Sequence, residues 1–197
     1  GAFWHCDNGR LQMGEEGDKQ TTYYYSYTNM PTRGVIRKDG KEIPVTGKSW
    51  FDKQGGSFTL AKKQAWEWFS LRFYDNEEIM LFKFPVTGYH DGTYITKDSQ
   101  RSRLNNYELV TTDYIKANDS KFSAGWTLKM PGVKEENYTI TPLMEGAINF
   151  SYFEELCSIK NSKGEEVGLC FTELWPYIYN DPEGHSAHSN QMTSIEY

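Results

Sequence analysis

The sequence has little of what marks several common protein classes. Its three cysteines, Cys6, Cys157 and Cys170, lie far apart and form no CxxC pair, which argues against a cysteine zinc site and against a disulfide-stapled scaffold. No apolar run approaches the roughly 20 residues that a membrane-spanning helix needs. Acidic and basic residues, 27 against 21, are interspersed and give a net charge of −6, whereas a nucleic-acid surface needs a basic field.

These absences set the first expectations. We expect no metal, no cofactor, no nucleic-acid partner and no membrane span, and we expect Cys157 and Cys170 to be buried in strands as small apolar residues. The composition leaves the compartment open between cytoplasmic and secreted.

What the chain has in excess is aromatic side chains, at 16 % of residues. Short runs rich in Tyr, Phe, Val, Ile and Thr alternate with turn signals such as Asp39-Gly40, the turn near Asp98 and "NSKGEE" at 161–166. The segment "NFSYFEELCSIK" suits a helix or a strand, and the turn that follows it favours a strand. Eight or more antiparallel strands predict an all-β protein, either an antiparallel barrel or a sandwich. A barrel of about eight strands has room for one small ligand, as in lipocalins.

One stretch, "KSWFDKQGG" at 48–56, carries the main chemical hypothesis. Trp50 and Asp52 stand two apart, so in an extended strand they share one face, roughly 7 Å apart. An apolar wall raises the pKa of a carboxyl and lets it act as an acid. Alternatively, Asp52 opens a glycine-containing turn and accepts hydrogen bonds from the amides of Gln54 or Gly55.

Four stretches, in order, resemble the carotenoid 1,2-hydratase (hydroxyneurosporene synthase) family of the lipocalin-like superfamily. They are "TTYYYSYTNMPTRGVI", "VTGKSWFDKQGG", "WEWFSLRFYDNEEIMLFKF" and "GLCFTELWPY". They match a YYS strand, a V-x-G-x-x-W-x-D motif, a W-x-W-F strand and a late strand with an acid before an aromatic turn. The run after Asp52 lacks the His that family members often carry there.

The resemblance implies a domain organisation. Family members usually carry two lipocalin-like halves, and this chain resembles the C-terminal half. We therefore expect residues 1–22 to be a leading segment from the first half, 23–180 to form the barrel, and 181–197 to be a polar extension. Trp66 and Trp68 are expected to form an exposed aromatic face that packs on an N-terminal half or on a second copy of the chain.

The resemblance also implies an activity, a hydratase or isomerase acting on an apolar polyene or isoprenoid-like molecule. Asp52 would be the general acid. The predicted substrate-binding residues are Trp50, Tyr23, Tyr25, Trp66, Trp68 and Glu173. Glu173 has a structural alternative, an ion pair with Arg72 or Lys48. Two other functions stay open, a non-catalytic module that binds a hydrophobic small molecule and a structural half that supports an N-terminal domain.

Overall fold

The computed structural model describes residues 1–14, 20–58, 65–117, 120–149 and 152–175, which form fourteen β-strands. The strands are β1 (Phe3–Trp4), β2 (Arg10–Gln12), β3 (Thr21–Lys38), β4 (Lys41–Ser57), β5 (Trp66–Phe73), β6 (Glu78–Lys83), β7 (His90–Ile95), β8 (Arg101–Arg103), β9 (Glu108–Ala117), β10 (Ser120–Met130), β11 (Lys134–Pro142), β12 (Ala147–Asn149), β13 (Tyr152–Lys160) and β14 (Glu166–Trp175). Helix is absent from these described ranges, so the predicted all-β class is confirmed.

Ten of the strands form one antiparallel sheet in the order β8-β7-β6-β5-β14-β13-β11-β10-β9, with β12 beside β13. Strands β5 to β8, β9 to β11 and β12 to β14 each pair with their chain neighbours, whereas β8 and β9 lie at opposite ends of the sheet order. The pairing of β14 with β5 joins the two parts of the sheet, as in an up-and-down barrel. Hydrogen bonds from Tyr107 Oη to Phe82 O (2.9 Å) and from Lys83 Nζ to Leu109 O (2.8 Å) connect β6 to the segment that includes β9.

The inner face of this sheet encloses the main core. Alternate residues of β5, Phe69, Leu71 and Phe73, belong to it, and Trp126 of β10 is fully buried with its ring 5.1 Å from that of Phe69. All three cysteines are buried and free, and Cys157 and Cys170 belong to this core. The prediction that these two are buried apolar residues of strands is confirmed.

The remaining four strands form a second sheet, in which β3 pairs with β1 and β2 on one edge and with β4 on the other. The far part of the β3–β4 hairpin is exposed, and its turn at Asp39-Gly40 has positive φ at both residues, as tight hairpin turns require. The predicted hairpin is therefore confirmed. The β3–β4 hairpin of this second sheet includes residues 23–57, with which the predicted 23–180 barrel domain begins; the predicted extension 181–197 lies outside the described residues.

The near part of the second sheet packs on the outer face of β5 and β6. Tyr24 of β3 and Met80 of β6 belong to this second cluster. Trp66 and Trp68 lie in the same cluster with only 5 % and 8 % of their surface exposed. The expectation that these two indoles form an exposed face is therefore wrong, because the chain's own second sheet covers them.

The glycines at 55 and 56 do not make the turn that the sequence suggested. Strand β4 continues through both to Ser57, with Gly55 opposite Tyr23 and Gly56 opposite Thr22. A Cβ at Gly56 would collide with the backbone of β3, so this glycine is required by close packing of two strands.

Glu155 is an acid inside the sheet. It lies between core residues Phe153 and Cys157 on β13 and is 2 % exposed. Burial, which penalises the charged form, raises the pKa of its carboxyl from about 4.5 to about 7.

This burial predicts a pH dependence of stability. Between about pH 4.5 and 7 the unfolded chain ionises Glu155 while the folded chain keeps the proton, so folding loses stability as pH rises. Over that window the free energy of unfolding should fall by about 3 kcal/mol relative to Glu155→Gln. Urea denaturation at pH 5 and pH 8 measures the difference. The exposed Glu136→Gln is the control, and a parallel pH response in wild type and Glu155→Gln would contradict the prediction.

Candidate functional site

An open cavity of about 450 Å³ lies where β4 meets the outer faces of β5, β13 and β14. We call it the acid groove. Its lining includes Trp50, Asp52, Trp68, Arg72, Phe171 and Glu173. With Glu154, which also lines it, three carboxyls, one guanidinium and two indoles thus share one concave surface.

The carboxyl of Asp52 is held by three side chains. Its Oδ1 accepts hydrogen bonds from Tyr24 Oη (2.8 Å), from Trp50 Nε1 (2.7 Å) and from the hydroxyl of Ser26. Ser26 is the direct register partner of Asp52 in the β3–β4 ladder. The three bonds all end on one oxygen, which fixes the plane of the carboxyl and leaves Oδ2 out of this network.

Two of these donors, Tyr24 and Ser26, form hydrogen bonds with further side chains behind them. Trp68 Nε1 donates to Tyr24 Oη at 2.9 Å, and His5 Nε2 lies 2.6 Å from Ser26 Oγ. His5 and Tyr24 are fully or almost fully buried. The network therefore runs from the covered core between the two sheets out to the groove.

Opposing effects set the acidity of Asp52. Desolvation is the largest and raises the pKa of its carboxyl, whereas the three hydrogen bonds and the Arg72 guanidinium lower it; the net direction is upward. The guanidinium lies 5.5 Å from the centre of a Trp50 ring and donates to Lys48 O at 3.0 Å. Asp52 is an exposed residue of β4, but its carboxyl is turned toward Tyr24, Ser26 and Trp50, and the net effect favours its protonated form relative to an ordinary aspartate.

Glu173 is the second acid of the groove. It lies opposite Trp68 in the β5–β14 ladder, and its Oε1 accepts a hydrogen bond from Trp66 Nε1 at 3.2 Å. Burial raises the pKa of its carboxyl, and the charges of Glu154 and Asp52 add to that rise. The ion pair with Arg72 or Lys48 that the sequence suggested is replaced by this bond to an indole.

The structure brings some of the predicted site residues together in the acid groove and places others elsewhere. Trp50 and Asp52 share a face, as predicted, and their side chains hydrogen-bond. The turn-cap alternative for Asp52 is wrong because residues 53–57 continue the strand. Trp68 and Glu173 line the groove, whereas Trp66 contributes through its bond to Glu173.

Tyr23 and Tyr25 are not where the prediction placed them. Tyr23 is 61 % exposed, and the ring of Tyr25 lies 5.0 Å from that of Trp4, on the face of β3 opposite Tyr24. The contact with Asp52 comes from Tyr24 instead. Three consecutive tyrosines give no hydrophobic alternation, so the sequence alone could not set which of them faces inward.

Sequence reasoning also missed His5 and Ser26. Ser26 carries a weak signal, since it stands two residues from Tyr24 and shares its strand face. His5 carries none, because its position depends on how the segment before β2 folds back onto β3.

No group of three or more His, Cys, Asp or Glu side chains in the described ranges could hold a metal ion. Within the same ranges, no helix is long and apolar enough to cross a membrane.

Two proteins of known structure share this architecture. The chain resembles the crystal structure of a protein assigned to AttH from Nitrosomonas europaea (TM-score 0.77, 20 % identity), covering 91 % of this chain and 59 % of that one. It also resembles kievitone hydratase from Nectria haematococca (TM-score 0.69, 16 % identity), covering 89 % of this chain and 58 % of that one. The chain thus spans about three fifths of each structure. No curated protein sequence matches it.

The two structural matches confirm the lipocalin-like fold. The AttH-like family matches residues 2–177, which include the N-terminal segment, both sheets and every residue of the acid groove. The chain therefore belongs to the AttH-like family.

Proposed function

We propose that the acid groove is the active site of a cofactor-independent hydratase acting on an apolar, unsaturated small molecule of the polyene or isoprenoid kind. The observation that carries the proposal is the anchoring of Asp52, whose Oδ1 takes three hydrogen bonds while Oδ2 remains for a proton. Leu156, Leu169 and Phe171 give the groove an apolar side on which such a substrate can lie.

The reaction requires a proton, a place for positive charge and a water molecule. Protonated Asp52 donates its Oδ2 hydrogen to one alkene carbon, forming a C–H bond as the O–H bond breaks and leaving a cation on the neighbouring carbon. The faces of Trp50 and Trp68, whose rings lie 6.1 Å apart, stabilise that charge. Water then adds to the cationic carbon and loses a proton to the carboxylate that Asp52 has become, with Glu173 orienting the water; the proton transfer restores the acid for the next turnover.

Two likenesses support the hydratase class. Kievitone hydratase, which shares the fold, is a hydratase by name. The V-x-G-x-x-W-x-D stretch at 45–52, which resembles the carotenoid hydratase motif, supplies both Trp50 and Asp52 of the groove. The carotenoid-like substrate is the narrower part of the proposal.

A binding module is the second candidate. The groove is open to solvent along one side, and Lys53 stands where the resembled family often has His. A hydrophobic ligand could then be held without turnover, with an N-terminal half or a second copy of the chain as the expected partner. Asp52 distinguishes the two candidate functions, because a hydratase needs it for turnover and a carrier does not need it for binding.

Asp52→Asn should abolish most turnover. Asn keeps the shape and still accepts hydrogen bonds, but it cannot supply the proton, so the rate should fall by roughly 10²- to 10⁴-fold. The assay incubates a panel of isoprenoid alkenes in D₂O and measures deuterium at carbon and added hydroxyl by mass spectrometry. The exposed Asp113→Asn is the matched control. Undiminished turnover in Asp52→Asn, or ligand binding by wild type without any turnover, would contradict the hydratase.

Tyr24→Phe and Tyr23→Phe should differ sharply. Tyr24→Phe removes one donor to Asp52 and leaves the buried Trp68 N–H without its acceptor, so it should cost about 1–3 kcal/mol of stability. Tyr23→Phe alters an exposed hydroxyl and should cost less than about 0.5 kcal/mol. Thermal and urea unfolding of the two variants measure this, and equal effects would show that the face assignment of β3 is wrong.

A further inference from the structure

His5 is an unusual component of the network behind Asp52. It precedes β2, yet its residue surface is fully buried and its backbone N donates to Tyr24 O at 3.0 Å. Its ring lies 4.5 Å from that of Tyr24 and stacks nearly parallel to Trp50 at 6.4 Å. The segment predicted to be a leading piece of another half is therefore built into the wall behind the groove.

The direction of each hydrogen in the network can be derived from donor capacity. The Trp68 N–H can only donate, so Tyr24 Oη accepts from it and points its own hydrogen at Asp52. Ser26 also has one hydrogen, and it lies between Asp52 and His5. Unlike an indole, a neutral imidazole can donate or accept at Nε2, so the tautomer of His5 decides where the Ser26 hydrogen goes.

We propose that His5 is a positioning residue which, as its neutral Nε2–H tautomer, donates to Ser26 and holds the Ser26 hydrogen on Asp52 Oδ1. Three hydrogens then converge on Oδ1, and Oδ2 is the oxygen that carries the acid proton. The hydrogen-bond arrangement stands on the geometry alone; only its consequence for turnover rests on the proposed function.

The hydrogen-bond count favours this tautomer. With Nε2–H, the pairs His5–Ser26 and Ser26–Asp52 are both made. With Nδ1–H, Ser26 would turn to His5 and leave Asp52, and the new hydrogen would be buried without a partner, since Nδ1 has none among the described residues. Burial and the Arg101 charge lower the pKa of His5 to about 3, so the ring stays neutral at physiological pH.

The tautomer can be measured on the unmodified protein. In ¹⁵N-histidine-labelled protein, two-bond nitrogen–proton correlations distinguish Nε2–H from Nδ1–H. His5 is identified among the four histidines as the signal lost in His5→Leu. We expect an Nε2–H pattern that does not titrate between pH 5 and 8. An Nδ1–H pattern, or a titration in that range, would overturn the proposal.

A second test measures the pKa of Asp52 in variants of Ser26 and His5. The direction in which His5→Leu shifts that pKa distinguishes the two tautomers of His5. In ¹³C-aspartate-labelled protein, Ser26→Ala should raise the pKa of Asp52 because one donor is lost. His5→Leu should also raise it, since Ser26 is no longer polarised, whereas His5→Gln, which retains a donor, should restore it. If His5 instead accepted from Ser26, His5→Leu would free that hydrogen for Asp52 and lower the pKa, which would overturn the proposal.

Controls separate this inference from the hydratase proposal. His90→Gln, at a half-buried position whose ring bonds to Gly88 O, should leave the Asp52 titration unchanged. A purely structural role for His5 predicts no shift in any folded His5 variant and would overturn the proposal. If the shifts occur as expected but Asp52→Asn keeps its turnover, the hydrogen-bond role stands and the hydratase fails.

Discussion

The acid groove depends on one constraint, the convergence of three hydrogen-bond donors on a single carboxylate oxygen at the junction of two sheets. The β3–β4 register places Ser26 opposite Asp52, and strand periodicity then puts Tyr24 and Trp50 beside it. Trp68, from the outer face of the barrel-like sheet, fixes the hydrogen of Tyr24. A register shift of one residue would turn the Asp52 side chain to the other face of the sheet and break its hydrogen bonds to the three donors.

The fold was largely predictable because its signals are local. Turn residues such as Asp39-Gly40 mark hairpins whatever surrounds them, and the turn signal at 161–166 favours the strand that the structure has at Tyr152–Lys160. Trp50 and Asp52 could be assigned to one face for the same local reason. The order of neighbours in the larger sheet then follows from the preference for consecutive strands to pair.

The parts that could not be predicted depend on contacts distant in sequence. Gly56 looks like a turn residue but is a site of close approach to β3. From the sequence, Trp66 and Trp68 resemble an exposed interface, because nothing in their own strand shows that the second sheet covers them. His5 reaches Ser26 across 21 residues, and no local pattern reports such a contact.

The groove joins an acid that favours its protonated form to indole faces suited to positive charge, which is what alkene hydration requires. The proposed function depends above all on Asp52 holding a proton at a pH where ordinary aspartates have lost theirs. Isotope-edited infrared spectra of ¹³C-aspartate-labelled protein test this directly. We expect a protonated-carboxyl band that persists above the ionisation of ordinary aspartates such as Asp113 and is missing in Asp52→Asn. Identical spectra for the two proteins across that pH range would contradict it.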